Sequence, residues 1–344
     1  MRPRSRLVIS VSVFEPVELV EQLVLNYLRF TGGGTMILLH ASLATNYNFS
    51  DPTWTSILEH PRLALNVERC APAASGSRAV PPTLCVAHRP RLDSRASCAR
   101  AAVYTSWCHP GIFLAHLSNA MYAAERSHKH AVFLPMSSNS FFFRAGVEER
   151  VKEMSGMSLC PGSPDLGLSK LSFPNRHVDK RLLPMITGNP MATNVNYDKL
   201  ECFYPLAWFT DVAAFFKAAD LPYDQRTRSC EEDWVMSTIA MHNSRTHIIK
   251  SARVPLPEAR PGELTCSPRD RCIGFRIPTP GKQEGLSLQQ IIAATTRNHS
   301  AFYAIKQIGR QYTNRARQML SGMGKRKTPP WVLNLTAHTG PSPP

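Results

Sequence analysis

From Leu7 to Phe14 the chain is apolar and largely β-branched, broken only by Ser10 and Ser12. That pattern predicts a first strand buried on both faces. Glu15-Pro16 ends it, and Val17, Val20, Leu23, Val24, Tyr27 and Leu28 then recur at helical spacing as far as Phe30. Thr31-Gly32-Gly33-Gly34 stops that helix. Thr35 to His40 reads as a second strand, Asp51 to Glu59 as a short helix, and Leu63 to Asn66 as a third strand. A β-α-β-α-β order predicts an α/β fold with a parallel sheet of the doubly wound type. Ligands bind such sheets at the carboxyl ends of the strands, and the Phe14-Glu15-Pro16 turn lies at one of those ends.

The rhythm breaks between Cys70 and Ala102, a stretch rich in Ala, Arg, Pro and Ser with no periodicity. So long a structureless segment is foreign to a compact domain, and 70–102 reads as a disordered insert. After it, Gly111 to Ala124 is expected to be a helix. Ala131 to Met136 is expected to be a fourth strand, followed by the polar turn Ser137-Ser138-Asn139-Ser140. A helix is expected from Val147 to Met154, and loops over 155–200. Phe203 to Phe209 is strand-like, and Asp211 to Ala219 helical. Trp234 to Met241 reads as a buried helix, 255–282 as loops, and Leu286 to Gln318 as largely helical. The proline-rich 328–344 is expected to fray.

Composition changes this picture little. The chain has 344 residues, 43% of them hydrophobic, enough for a substantial core. Its net charge of +15 points first to nucleic acid or an acidic membrane. The excess is local: +4 lies in 70–102 and +7 in 304–327, which leaves +4 for the rest. The nine cysteines include no C-x-x-C pair, and the 12 histidines no H-E-x-x-H, so no metal is assigned. Cys266 and Cys272 either close a small disulfide or stay free. Asn48, Asn298 and Asn334 head glycosylation sequons that matter only in a secretory lumen. No apolar run is long enough to span a membrane, and no signal peptide opens the chain. The protein is therefore expected to be soluble, or to lack an anchor that a longer form carries.

The candidate chemistry gathers around Ser229-Cys230-Glu231-Glu232-Asp233-Trp234. Three carboxylates at the start of an apolar element are costly to desolvate. They have two readings. Ser229 is an N-cap and the acids favour the helix dipole, or one acid is a general base at a cleft. Lys306 and Arg310 stand four residues apart and present either a solvated helix face or a pair of cations for an anion. Trp107 and His109 precede the helix at Gly111 either as core and loop residues or as groups that stack on and hydrogen-bond a ligand. Phe14, at the first strand end, is a contact for the base of a nucleotide. Arg315 and Arg317 read as surface charges.

Several segments together resemble the core-2/I-branching β-1,6-N-acetylglucosaminyltransferases and their plant and algal relatives. They are Val13-Phe14-Glu15-Pro16, Thr105 to Gly111, Ala115-His116-Leu117-Ser118-Asn119, Phe133 to Ser140, Tyr204 to Phe209 and Glu231 to Trp234. The resemblance runs over 7–69 and 103–320. It implies a GT-A-like (Rossmann-like), mostly parallel sheet flanked by helices. Residues 1–69 would form the nucleotide-binding first part, and 103–327 the remainder of the catalytic domain. It implies inverting transfer of GlcNAc or xylose from a UDP-sugar to a glycan or glycoprotein, without a metal or other cofactor. Glu232 aligns with the family's base, and Glu231 is the near alternative. Phe14, Trp107, His109, Asn139, Lys306 and Arg310 would bind the donor. The Golgi lumen is the implied location, with the membrane met only through an anchor that this chain lacks. Ser137-Ser138-Asn139 has no Asp-x-Asp pair for a divalent ion, in keeping with metal independence. The family's disulfide framework is not traceable in the sequence.

Two other classes compete. A serine hydrolase would place its nucleophile in Ser137-Ser138-Asn139 after the fourth strand, but there is no G-x-S-x-G. A non-catalytic protein binding nucleic acid or another polyanion would use the basic tail. No helix-turn-helix, RRM or zinc pattern supports that class, and it would show salt-dependent retention on DNA. Deleting Cys70 to Ala102 should leave folding intact, because the segment has no apolar pattern to contribute to a core. The check is a melting temperature and soluble yield equal to those of the full chain.

Overall fold

The side chains of β1 (Ser5–Val13) alternate between two cores, and the fold is organised around that division. Leu7, Ile9, Val11 and Val13 enter one apolar cluster. Val8 enters the other, with Ser10 and Ser12 buried on the same face. A strand buried on both sides is suited to the centre of a parallel sheet. β1 pairs in parallel with β2 (Thr35–Ala41) on one edge and β4 (Ser127–Met136) on the other. β3 (Leu63–Asn66) pairs in parallel with β2, and the two-residue β6 (Tyr204–Pro205) adds antiparallel to β4. The strand order is β3-β2-β1-β4-β6, a mixed α/β architecture with a mostly parallel sheet. A second, three-stranded sheet is formed by β5 (Phe141–Phe142), β7 (Gly274–Phe275) and β8 (Ala304–Ile305), with β8 in the middle.

The computed structural model describes residues 5–42, 47–48, 51–59, 63–66, 109–124, 127–155, 179, 181–188, 201–219, 229–241, 248–250, 274–275, 289–293, 303–306, 308, 310 and 313–322. The expected insert at 70–102, Trp107, the Cys266 and Cys272 pair and the tail at 328–344 lie outside them.

Helices cover both faces of the main sheet. On the Leu7 side lie α1 (Val17–Phe30), α2 (Pro52–Glu59), α4 (Val147–Ser155) and α8 (Arg315–Ser321). On the Val8 side lie α3 (Gly111–Ala124), α5 (Leu182–Thr187), α6 (Leu206–Ala219) and α7 (Glu231–Met241). Aromatic rings dock α6: Phe209 sits 4.5 Å from Phe133 of β4, and Phe216 packs edge-on 5.3 Å from Phe113 of α3. Each such buried ring contributes roughly 1.5–3 kcal/mol.

Three expectations are corrected. The run Phe203 to Phe209 is strand only at Tyr204–Pro205, and the helix starts at Leu206. A short apolar run fits either period, and burial of Leu206, Phe209, Val212, Ala213 and Phe216 follows the helical one. The stretch from Leu286 to Gln318 is not a continuous helix. Residues 289–293 are helical, but β8 and a bend at Lys306 follow before α8, whose N-cap Asn314 accepts a hydrogen bond from the Arg317 backbone N–H. Arg317 is not a surface charge. It is 1% exposed, donates to the Leu19 carbonyl at 2.6 Å, and lies 4.7 Å from the centre of the Phe141 ring.

Asn26 ties distant parts of the chain together. Its side-chain N–H donates to the carbonyls of Phe142 and Leu320 at 2.8 and 2.9 Å, and its oxygen accepts from Phe142 N at 2.8 Å. The three bonds fix α1 against β5 and the end of α8. That end is closed by Gly322 at φ 83°, a backbone conformation that glycine adopts without strain. Asn26→Leu would strand one buried N–H and two carbonyls, each worth about 1–3 kcal/mol. The expected outcome is a loss of about 3 kcal/mol or more, read from the denaturant midpoint.

Candidate functional site

The strand order places the switch point of the sheet between β1 and β4, because β2 and β3 extend one way from β1 and β4 the other. Val11 and Met136 are register partners, so the chain leaves both strands at the same edge. The turn Ser137 to Ser140 and the Phe14-Glu15 turn therefore meet there. Glu15 is 5% exposed and accepts from the Ser138 hydroxyl. Its carboxylate pairs with Arg310 Nε at 2.9 Å, and Arg310 Nη2 also reaches Ser138 Oγ at 3.3 Å. The guanidinium stands 5.1 Å from the centre of the Phe14 ring, and Tyr47 donates to the Glu15 carbonyl at 2.7 Å.

A second carboxylate sits on the other side of the same turn. Glu201 is 2% exposed, accepts from the Ser140 hydroxyl, and receives Ser137 N at 3.3 Å. Lys306 Nζ lies 3.6 Å from it. Burial raises the Glu201 carboxyl, while Lys306 and the two serines pull it back down. The segment carrying both cations is fastened to the turn by Ile308 N donating to the Asn139 carbonyl at 3.0 Å. Lys306 and Arg310 thus come together at the site, although not on a helix. They do so because β8 pairs with β5, which directly follows the turn.

The acidic cluster opens α7. The helix begins at Glu231, so Cys230 takes the cap place expected of Ser229, and Asp233 N donates to the Cys230 carbonyl at 2.9 Å. Glu231 is fully buried; burial lifts its carboxyl to about 8, with the Ser229 side chain opposing. Glu232 is half-buried, and its Oε2 has no hydrogen-bond partner among the described residues. Burial first, then Asp233 and Glu231, push it well above the usual carboxylate range, and Lys306 draws it down. Cys202, next to Glu201, and Cys230, at the start of α7, are each disulfide-bonded, a state hidden from sequence inspection. Cys230 Sγ, Glu232 and Asp233 lie within 4.8 Å of one another, but a disulfide sulfur is no thiolate for a metal.

The remaining expected residues divide. Phe14 lies under Arg310, and Asn139 is half-buried in the turn. His109 is buried with Nδ1 accepting from Gly111 N at 2.9 Å, which caps α3 and favours the local reading of that histidine. Trp107 lies outside the described residues. The sequence reading gave no site role to Glu15, Ser140 or Glu201. Glu15 carried a usable signal in its position just after the first strand, and Glu201 one in its place as a lone acid before an apolar run.

Behind this edge, on the α3 face, Asn119 donates to Ser10 Oγ at 2.8 Å, and Ser10 Oγ meets His116 Nδ1 at 2.8 Å. Burial lowers His116 to about 3 and His40 to about 4, so both are neutral. Both ring nitrogens of His40, and its register partner's Ser12 Oγ, have no hydrogen-bond partner among the described residues.

No protein-family model matches the chain, and no curated protein matches it. Among the described residues no helix is long and apolar enough to cross a membrane.

Glu231 generates a pH prediction. Its folded pKa is raised from 4.5 to about 8, so its contribution is full below about pH 4.5 and is lost as pH rises to about 8. Glu231→Gln does not titrate. The stability of this variant relative to the native protein should therefore increase by about 1.4 kcal/mol per pH unit across that window. Denaturant unfolding at pH 5 and pH 8 reads the difference.

Proposed function

We propose that the protein is a metal-independent, inverting glycosyltransferase of GT-A-like fold. It moves GlcNAc or xylose from a UDP-sugar to a glycan or glycoprotein acceptor. One observation carries the reading: Lys306 and Arg310 are held at the switch-point turn, and Lys306 also acts on Glu232, a carboxyl raised well above its usual range. In the proposed chemistry Glu232 takes the proton of the acceptor hydroxyl. The acceptor oxygen forms its bond to the anomeric carbon as the bond from that carbon to the diphosphate breaks, which inverts the centre. Lys306 and Arg310 take up the charge that develops on the departing diphosphate. Phe14 and Asn139 border the same edge and would contact the donor.

Polyanion binding by the basic tail is the weaker reading. Arg317 is buried against Phe141, and Lys306 and Arg310 face carboxylates, so three of its charges already have partners within the protein. The disulfide-bonded state of Cys202 and Cys230 supports an oxidising compartment, in keeping with a Golgi lumen.

Purified protein screened against a panel of nucleotide sugars should turn over UDP-N-acetylglucosamine or UDP-xylose, and excess chelator should not stop it. In the same assay Glu232→Gln should lower kcat by roughly 10²–10⁴-fold with little change in donor KM, and Glu231→Gln should cost far less. A Glu232→Gln enzyme with native turnover, or no turnover of any nucleotide sugar, would sink the assignment.

A further inference from the structure

Arg310 is held by one edge of its guanidinium only. That group is a rigid planar fork of N–H donors with no acceptor. Its side edge, Nε and the adjacent N–H of Nη2, is taken. Nε donates to Glu15 Oε1 at 2.9 Å, and Nη2 donates to Ser138 Oγ at 3.3 Å. Its outer edge, Nη1 and the second N–H of Nη2, has no partner among the described residues. The Arg310 side chain is 43% exposed and that of Glu15 only 5%, so the held edge is the buried one.

We infer that Glu15 is a positioning residue, which turns the Arg310 guanidinium so that its outer pair of N–H donors is presented to a diphosphate. Such a pair meets two phosphate oxygens in parallel. The holding contacts cannot reverse, because a carboxylate only accepts and a guanidinium only donates. The Ser138 hydroxyl gives its one proton to Glu15 and accepts from Arg310 Nη2, which closes a ring of three groups. Glu15 is itself fixed in place. Phe14 N donates to its Oε2 at 3.1 Å, and Tyr47, packed edge-on 5.0 Å from Trp54 of α2, holds its backbone carbonyl. The Phe14 ring bounds one face of the guanidinium. The inference rests on the diphosphate role proposed above for Arg310, but its test needs no turnover.

A long, exposed arginine otherwise samples many rotamers and loses that freedom on meeting an anion. Glu15 removes the loss beforehand, but it also sets a negative charge beside the arriving anion. The two effects have opposite signs. As a bare charge Glu15 repels a diphosphate, so its removal would tighten binding. As an orienting group it prepares the fork, so its removal weakens binding. Lys306 is held separately across the turn by Glu201, and its charge is present in either case.

The experiment is a double-mutant cycle read by calorimetric titration with inorganic pyrophosphate. Arg310→Met should weaken binding roughly tenfold or more. Glu15→Leu should weaken it several-fold although it deletes a negative charge, and should cost nothing further in the Arg310→Met background. Native or tighter binding by Glu15→Leu overturns the inference, as does an equal loss in both backgrounds, which marks a role in the fold alone. Absence of pyrophosphate binding by the native protein overturns it too. Should Glu15→Leu not fold, nitrogen-15 relaxation of the native protein decides, with the Arg310 Nε–H signal assigned by its loss in Arg310→Met. That group should be as ordered as rigid backbone before any anion is added, with an order parameter of about 0.85, and a mobile one overturns the inference. Failure of the glycosyltransferase reading would instead appear as absent turnover of nucleotide sugars with the cycle intact.

Discussion

A carboxylate removed from water at a strand end has to be met by a cation or by several hydrogen bonds, and this protein meets that demand twice around one turn. Glu15 and Glu201 approach Ser137 to Ser140 from opposite sides, one from the end of β1 and one from just before β6. Each takes a serine hydroxyl and each pairs with a basic residue from the segment after β8. Breaking one partner of such a pair leaves a buried charge without compensation, which costs more than the pair itself contributes. The second sheet, the bend at Lys306 and the path into α8 are consequences of this pairing as much as of apolar packing.

The first half of the main sheet was legible in the chain, because its strands are buried on both faces and its helices are amphipathic. Those are the two patterns in which periodicity separates helix from strand most clearly. β1, α1, β2, β3, α3 and β4 lie within a few residues of where the pattern places them. Legibility failed where an element is two residues long or apolar all round. β8 is set by pairing with β5, a contact far away in sequence, and nothing local distinguishes Ala304–Ile305 from a helix. The start of α6 was lost for the complementary reason, since Tyr204-Pro205-Leu206 continues an apolar run through a change of structure.

The site was half legible. Lys306, Arg310 and the acidic cluster stand out by residue type. Their meeting was expected from a helical spacing that does not exist, and what brings the cations to the turn is tertiary pairing. Glu15 and Glu201 carried only a positional signal, because a lone acid beside a strand looks the same as a solvated one until its burial is known. The disulfide-bonded state of Cys202 and Cys230 was hidden because nine cysteines admit many pairings. Burial also reverses the meaning of Arg317. In sequence it belongs to a basic run, yet in the fold it is a core residue whose charge rests on a carbonyl and an aromatic face.

Asn26 has a kinetic consequence. Its three hydrogen bonds join α1 to residues 116 and 294 positions further along the chain. Contacts of such long sequence separation form late, because the entropy of closing the intervening loop precedes any reward. During synthesis α1 can emerge and pack on β1 and β2 while the groove that receives α8 is still open to water. The polar side chain of Asn26 then keeps that groove hydrated until α8 leaves the ribosome and completes it. An apolar residue there would invite the exposed helix to associate with the wrong surface in the interval.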